Sequence, residues 1–138
     1  MTAVFVDTWA WYAMIDKADD DHLIAQLTSE ELLDRGHTFV TTNFVLDEAI
    51  TLIRYRVGHA IAVQFRHKIQ QMTVGELLNL VRVTAAHEAA AWIIFEKYAD
   101  QEFSFTDCCS FAVMRAMNLS QVFTADGHFA TMGFVRIP

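Results

Sequence analysis

The sequence predicts an α/β fold in which a parallel sheet of four or five strands carries helices on both faces. Short β-branched and aromatic runs alternate along the chain with segments of helical length, which is the order that βαβ crossovers require. The first run, at residues 3–6, is apolar without alternation, as in a strand covered on both faces. With 138 residues, 54 % of them hydrophobic, we expect residues 1–138 to form a single domain with a sizeable core.

The first half of the chain is predicted to hold two strands and four helices. In order, these are a strand at 3–6, a helix at 9–15, a helix ending near 35, a strand at 38–41, a helix ending near 57 and an amphipathic helix containing residues 61–72. An acidic loop at 16–21 separates the first two helices. Gly36 suits the C-terminal end of the second helix, and Gly58 separates the last two.

The second half is predicted to complete the sheet around one buried helix. Its elements are a strand at 78–83, a helix at 84–98, a helix after residues 103–105, a strand at 122–124 and an edge strand at 134–137. The helix after residue 105 is apolar nearly all round and must be central. Its neighbouring cysteines, Cys108 and Cys109, are expected to be reduced core residues, and Asn118 can adopt the left-handed conformation that ends a helix.

The net charge of −7 does not favour a nucleic-acid partner, because phosphate binding depends on Lys and Arg. Four of the ten basic residues nevertheless fall within fifteen positions: Arg54, Arg56, Arg66 and Lys68. A local basic face for RNA and an ordinary solvated helix surface are both consistent with this stretch.

Neither a membrane segment nor a common catalytic motif of another class is found. The longest apolar run, residues 89–95, is too short to span a bilayer, and no basic secretory start precedes it, so we expect a cytoplasmic protein. His87 and Glu88 begin like a zinc-protease helix, but Ala91 stands where the second histidine is required. The remaining histidines, including His22 and His128, are expected to be surface or core residues.

Glu48 is predicted to face the apolar side of its helix. Residues four apart share a helix face, so Glu48 lies in line with Phe44 and Leu52, whereas Asp47 lies in line with Thr51. A carboxylate among apolar residues needs a cation, because burying an unpaired charge is costly. An arginine or a metal ion would meet that need.

Each of the other three candidate acids also has a purely structural interpretation. Asp7 could cap the helix that follows the first strand. Ser104 and Asp107 have the spacing of a capping box, and Asp126 could occupy a turn or cap a helix before Gly127.

Taken together, the four acids predict a metal site. Asp7 and Asp126 follow predicted strands, Asp107 opens a helix and Glu48 is one turn into another, so all lie toward one edge of a parallel sheet. Four carboxylates there repel one another unless a cation neutralises them. Oxygen ligands without His or Cys select Mg²⁺ or Mn²⁺, which can support displacement at a phosphodiester.

Four segments resemble the successive acidic motifs of PIN-domain ribonucleases, especially VapC-like toxins. They are residues 4–8, 42–48, 104–108 and 124–129. The resemblance covers essentially the whole chain and keeps the family order. It implies a three-layer Rossmann-like PIN domain, Mg²⁺- or Mn²⁺-dependent cleavage of RNA, frequent homodimerisation and neutralisation by a cognate antitoxin.

The resemblance also implies roles for individual acids. Asp7 and Asp107 match direct metal ligands, and Glu48 and Asp126 match the acids that complete the pocket, directly or through water.

Other positions add to this comparison with the family. Thr8 and Thr106 are expected to hydrogen-bond the acids, although Thr106 could equally cap its helix. Trp9 and Trp11 stand where the family often has smaller residues, and Asn118 stands where Gly is common.

Two other functions are also consistent with the acids. A phospho-acceptor receiver domain has acids and Mg²⁺ at its strand ends, but it also needs a lysine there. Lys17, Lys68 and Lys97 all fall within or after predicted helices. The second alternative is a non-catalytic RNA- or protein-binding module that keeps the acids for folding.

Overall fold

The computed structural model describes residues 2–138, which contain a five-stranded parallel sheet. The strands are β1 (Ala3–Val6), β2 (Thr38–Thr42), β3 (Leu78–Val81), β4 (Gln121–Phe123) and β5 (Val135–Ile137). Their order across the sheet is β3-β2-β1-β4-β5, and every pairing is parallel. The central strand is therefore β1, from which the chain continues to β2 on one side while β4 lies on the other. The predicted parallel α/β sheet is confirmed.

Within residues 2–138, seven helices connect the strands. They are α1 (Thr8–Ile15), α2 (His22–Asp34), α3 (Asn43–Arg56), α4 (His59–Val74), α5 (Ala85–Lys97), α6 (Phe105–Ala116) and α7 (Gly127–Thr131). The helices α1 to α4 pack on one another, and α5 packs against α6. The chain moves across the sheet from β1 to β3 in one direction and then returns to the other side of β1 for β4 and β5. Right-handed crossovers in these two directions place the two groups of helices on opposite faces of the sheet. None of these helices combines the length and hydrophobicity of a membrane-spanning segment.

Alternation along the strands divides the core into two layers. Phe39 of β2 packs edge-on against Trp11 of α1 at 6.2 Å between ring centroids, and Trp11 in turn contacts Phe65 of α4 at 5.8 Å. Phe5 of β1 packs on the other side, against Phe129 of α7 at 6.4 Å. Each face of β1 is therefore covered by its own group of helices, which explains why this strand is apolar without alternation.

The helix α6 is central, as predicted, and residues 107–114 are all buried. Cys108 and Cys109 are fully buried free thiols. Asn118 follows the helix with φ 56°, the left-handed conformation expected there.

Differences from the sequence prediction lie at the ends of elements. The strand β3 ends at Val81, because the N–H of Val83 donates to Asn43 Oδ1 at 2.8 Å rather than to a neighbouring strand. The helix α7 was predicted only as a turn or a cap, since five residues are too few to show a helical period.

Candidate metal centre

Asp7 directly follows the central strand. Its N–H donates to the Phe123 carbonyl of β4 at 3.2 Å, which extends the pairing of the two strands by one residue. The side chain is only 5 % exposed. Asp7 occupies the N-cap position of α1, but its side chain makes no capping hydrogen bond, so capping does not account for this carboxylate. Instead, Oδ2 accepts a hydrogen bond from the Thr124 hydroxyl at 3.1 Å.

The surroundings of Asp7 disfavour the ionised form of its carboxyl group. Burial is the main cause that raises the pKa of Asp7 from 3.8 to about 7. A hydrogen bond from the Thr8 backbone opposes this change, and the charges of Asp107 and Asp126 reinforce it. A cation in the pocket would reverse these effects and favour the ionised form.

Asp107 is fixed by a capping box at the start of α6. Its N–H donates to Ser104 Oγ at 3.0 Å, and its Oδ2 accepts from the Ser104 N–H at 3.1 Å. The structural interpretation is therefore correct, and Ser104 rather than Thr106 caps the helix. Burial is the main cause that raises the pKa of Asp107, and the charge of Asp126 adds to it. Hydrogen bonds from Ser104 and His128 oppose the change.

Asp126 and His128 complete the cluster from α7. Asp126 caps this helix, since its Oδ1 accepts from the His128 N–H at 2.9 Å. The same turn brings His128 Nδ1 to 3.2 Å from Asp107 Oδ2 and 3.4 Å from Asp126 Oδ1. Within residues 2–138, one ligand atom from each of these three residues lies within 4.8 Å of the other two. Asp7 is not part of this group within residues 2–138, but the charges of Asp107 and Asp126 act on its pKa. We call Asp7, Asp107, Asp126 and His128 the acidic cluster.

His128 was expected to be a surface or core residue rather than a ligand. The structure places it half-buried and in contact with two of the acids. Its position follows from Asp126, because an N-cap residue and the second residue of its helix are held together by the capping hydrogen bond. The spacing Asp126-Gly127-His128 was therefore the signal in the sequence, but it becomes readable only once α7 is known to be a helix.

Thr124 links two of the acids and was not predicted. It is fully buried, its hydroxyl donates to Asp7 Oδ2, and it accepts from the Asp126 N–H at 3.0 Å. Thr8 and Thr106 were expected in this role. Thr8 Oγ1 is buried without a hydrogen-bond partner among residues 2–138, and Thr106 is half-buried beside Asp107. Thr124 takes the role because it follows β4, the strand paired directly with β1.

Glu48 lies in α3 with its side chain exposed, and among residues 2–138 it is not part of the group of ligand atoms within 4.8 Å. The prediction that it faces the apolar side of its helix is wrong. Phe44 and Leu52, which lie one turn before and one turn after it, are only partly buried. The line of side chains that contains Glu48 therefore lies at the edge of the buried face of α3. That face is formed by Val45, Leu46, Ala49 and Ile53.

Of the two alternatives for the four basic residues between positions 54 and 68, the structure does not support a single basic face. Arg54 and Arg66 line a cavity of about 480 Å³ between α3 and α4. Arg56 lies over the ring of Tyr12 at 5.4 Å, and Lys68 lines a separate cavity beside α1. Positions two apart on a helix do not share a face, so Arg66 and Lys68 point to different sides of α4.

The donor set fits a hard divalent cation. Among residues 2–138, protein hydrogen bonds reach Oδ2 of Asp107 and Oδ1 of Asp126, which leaves the other oxygen of each carboxylate for a ligand. The buried Thr8 Oγ1 offers a further oxygen without a partner. An ionised carboxylate only accepts, so His128 Nδ1 must hold its proton in the contact with Asp107 and cannot bind a metal at the same time. Oxygen donors of this kind suit Mg²⁺ or Mn²⁺.

Comparison with known proteins adds three findings. The family profile described as PIN domain matches residues 4–135. The 23S rRNA-specific endonuclease VapC20 of Mycobacterium tuberculosis, strain ATCC 25618 / H37Rv, is 32 % identical over 134 residues, which cover 97 % of each chain. The crystal structure of M. tuberculosis VapC20, described as a sarcin-ricin loop cleaving toxin, superposes with a TM-score of 0.83 and covers 97 % of this chain and 98 % of that one.

A more distant structure shares only the fold. VapBC2 from Rickettsia felis, bound to a DNA fragment from its promoter, is 15 % identical with a TM-score of 0.66, over 99 % of this chain and 98 % of that one.

Proposed function

Because the chain belongs to the PIN domain family, we propose that it is a metal-dependent endoribonuclease and the toxin of a toxin–antitoxin pair. In this proposal residues 1–138 act as a single PIN domain that hydrolyses RNA phosphodiester bonds. The name of the M. tuberculosis relative, an rRNA-specific endonuclease, supports both the reaction and the substrate class.

The observation that carries the proposal is the convergence of three aspartates from distant parts of the chain. Asp7 follows β1, Asp107 opens α6 and Asp126 caps α7, and the charges of the last two act on the pKa of the first. A fold that only needed caps would not require Asp7, which caps nothing. A pocket that holds a cation requires all three.

Each residue of the pocket has a definable task. Asp7 and Asp107 would hold the ion directly, and Asp126 would complete its ligands. His128 keeps Asp107 in place by donating from Nδ1 and Asp126 by donating from its backbone N–H, and the Thr124 hydroxyl does the same for Asp7. When bound, Mg²⁺ or Mn²⁺ supplies the charge stabilisation and water activation that phosphodiester hydrolysis requires.

Two further groups of residues belong to the proposal. In this proposal Glu48 completes the site through water, since among residues 2–138 its exposed carboxylate is not part of the group of ligand atoms within 4.8 Å. Arg54, Arg56, Arg66 and Lys68 are all exposed and can contact RNA only as separate points around α3 and α4.

The proposed partners follow from the family. They are RNA as substrate, a cognate antitoxin protein and a second copy of the chain in a homodimer. We propose the cytoplasm as the compartment, because RNA is found there and the buried thiols of Cys108 and Cys109 are free.

The direct test is cleavage of RNA by the purified protein. Total RNA that contains ribosomal RNA is incubated with the protein and Mn²⁺, and new ends are mapped for the wild type, Asp7→Asn and Asp20→Asn. Asp20 is an exposed loop residue, so this control makes the same change in charge away from the pocket. We expect cleavage by the wild type and by Asp20→Asn only. Equal cleavage by all three proteins would contradict the proposal, and RNA binding in chelator without cleavage in Mn²⁺ would favour the binding-module alternative.

A further inference from the structure

An aromatic cleft lies directly beside the acidic cluster. It has a volume of about 360 Å³, and its aromatic lining consists of Trp92, Phe95, Tyr98 and Phe103. The ring of Phe103 packs edge-on against the ring of His128 at 5.2 Å between centroids. Because His128 belongs to the acidic cluster, the lining of the cleft contacts the cluster directly.

The rings at the mouth of the cleft are exposed and held in place. Trp92 and Phe95 stack at 5.4 Å with an angle of 23° between their planes, and each packs edge-on against Phe105. Their exposed fractions are 52 % and 40 %. Aromatic surface of this kind is unfavourable in water unless a ligand covers it. The stacked pair therefore presents an ordered π surface to whatever binds next to the acidic cluster.

We propose that the aromatic cleft binds an unpaired nucleobase next to the scissile phosphate of the RNA, an inference that rests on the proposed function. Unpaired bases stack on aromatic rings, and this contact needs no positive surface, which suits a chain with a net charge of −7. The charges at the cleft agree with this assignment. Glu96 lines it and disfavours a phosphate, while Lys97 Nζ lies 5.5 Å from the centre of the Tyr98 ring, where it can meet the backbone beyond the base.

The cleft's position favours RNA over a second copy of the chain. The contacts from Phe103 to His128 and from His128 to Asp107 place the cleft within reach of an RNA strand whose phosphate lies at Asp107, given a rise of roughly 3.4 Å per nucleotide in a stacked strand. A second copy of the chain could also cover apolar rings, but it would not need to lie beside the acidic cluster.

The test compares two substitutions of Trp92 with a matched control. Trp92→Leu keeps an apolar side chain without a π surface, Trp92→Phe keeps the π surface, and Ile93→Ala changes an exposed apolar neighbour that does not line the cleft. With a single-stranded oligoribonucleotide and Mn²⁺, we expect Trp92→Leu to raise KM about tenfold with little change in kcat. The Mn²⁺-induced rise in melting temperature should not change. Trp92→Phe and Ile93→Ala should resemble the wild type.

A direct binding measurement separates this inference from the proposed function. The same oligoribonucleotide should quench the fluorescence of Trp92 in the non-cleaving Asp7→Asn protein, and the quenching should disappear when Trp92→Phe is added. An unchanged KM in Trp92→Leu would overturn the inference while leaving the nuclease intact. Loss of self-association in Trp92→Leu, with RNA affinity unchanged, would also overturn it and assign the cleft to a protein interface. If the wild type cleaves nothing yet its Trp92 is still quenched, the proposed function fails and the cleft remains a base-binding site.

Discussion

Asp7→Asn should make the metal-free protein more stable, because it removes a buried carboxylate. The pKa of Asp7 is raised from 3.8 to about 7, a difference that corresponds to about 4 kcal/mol at roughly 1.4 kcal/mol per pKa unit. A group whose pKa is higher in the folded state contributes most to stability below its unfolded pKa. That contribution is lost as pH rises from 3.8 to about 7. Asparagine has no such dependence, and its amide oxygen can still accept the hydrogen bond from Thr124.

The assay is urea denaturation in chelator at two pH values. The free energy of unfolding of Asp7→Asn should exceed that of the wild type, and the gap should widen by about 2 kcal/mol between about pH 5.5 and about pH 8.5. Mn²⁺ should then stabilise the wild type and have little effect on the variant. Asp20→Asn, at an exposed loop position, should show neither effect. A gap that is absent or independent of pH would refute the placement of an ionisable carboxylate in a buried pocket.

Three further predictions concern the pocket and Glu48 outside it. Because a metal must displace the proton from Asp7, Mn²⁺ affinity should fall by up to about tenfold for each pH unit below about 7. Calorimetric titration with Mn²⁺ at several pH values measures this change, and an affinity that does not vary with pH would contradict the role of Asp7 as a ligand. Thr124→Val should lower the free energy of unfolding by about 1–3 kcal/mol, because it removes a buried hydroxyl that makes two hydrogen bonds, and Thr124→Ser should restore most of it in urea denaturation. Glu48→Gln should reduce RNA cleavage about ten- to a hundredfold without changing the melting temperature. The control Asp47→Asn, at the neighbouring exposed acid, should change neither the cleavage nor the melting temperature. If Glu48→Gln cleaves RNA as fast as the wild type, Glu48 does not belong to the site.

Most of the fold could be predicted because strong local patterns decide it. The continuous apolar run of β1 requires cover on both faces, and the all-round apolar surface of α6 requires a central position. Asp7 and Asp126 could be placed at one edge because both follow strands of a parallel sheet.

The remaining features of the site depend on how deeply each side chain is buried and on which elements lie next to it, and the periodicity of the sequence describes neither. Helical spacing gives the direction of Glu48 around α3 but not whether its carboxylate reaches solvent. His128 lies in a helix of five residues, too short to show a period. Helical spacing already separates the basic residues that lie two positions apart, but it does not show which cavity each of them lines.

The capping box formed by Ser104 and Asp107 both starts α6 and orients a carboxylate of the pocket. The hydrogen bonds that start this helix also orient one carboxylate, so the conformational entropy of that side chain is lost during folding rather than during ion capture. The Asp107 carboxylate is therefore already oriented when an ion binds, and binding loses little further side-chain entropy. Position 107 is therefore constrained twice, since a replacement must both complete the capping box and present an oxygen to the ion, and a longer acid cannot reproduce both geometries.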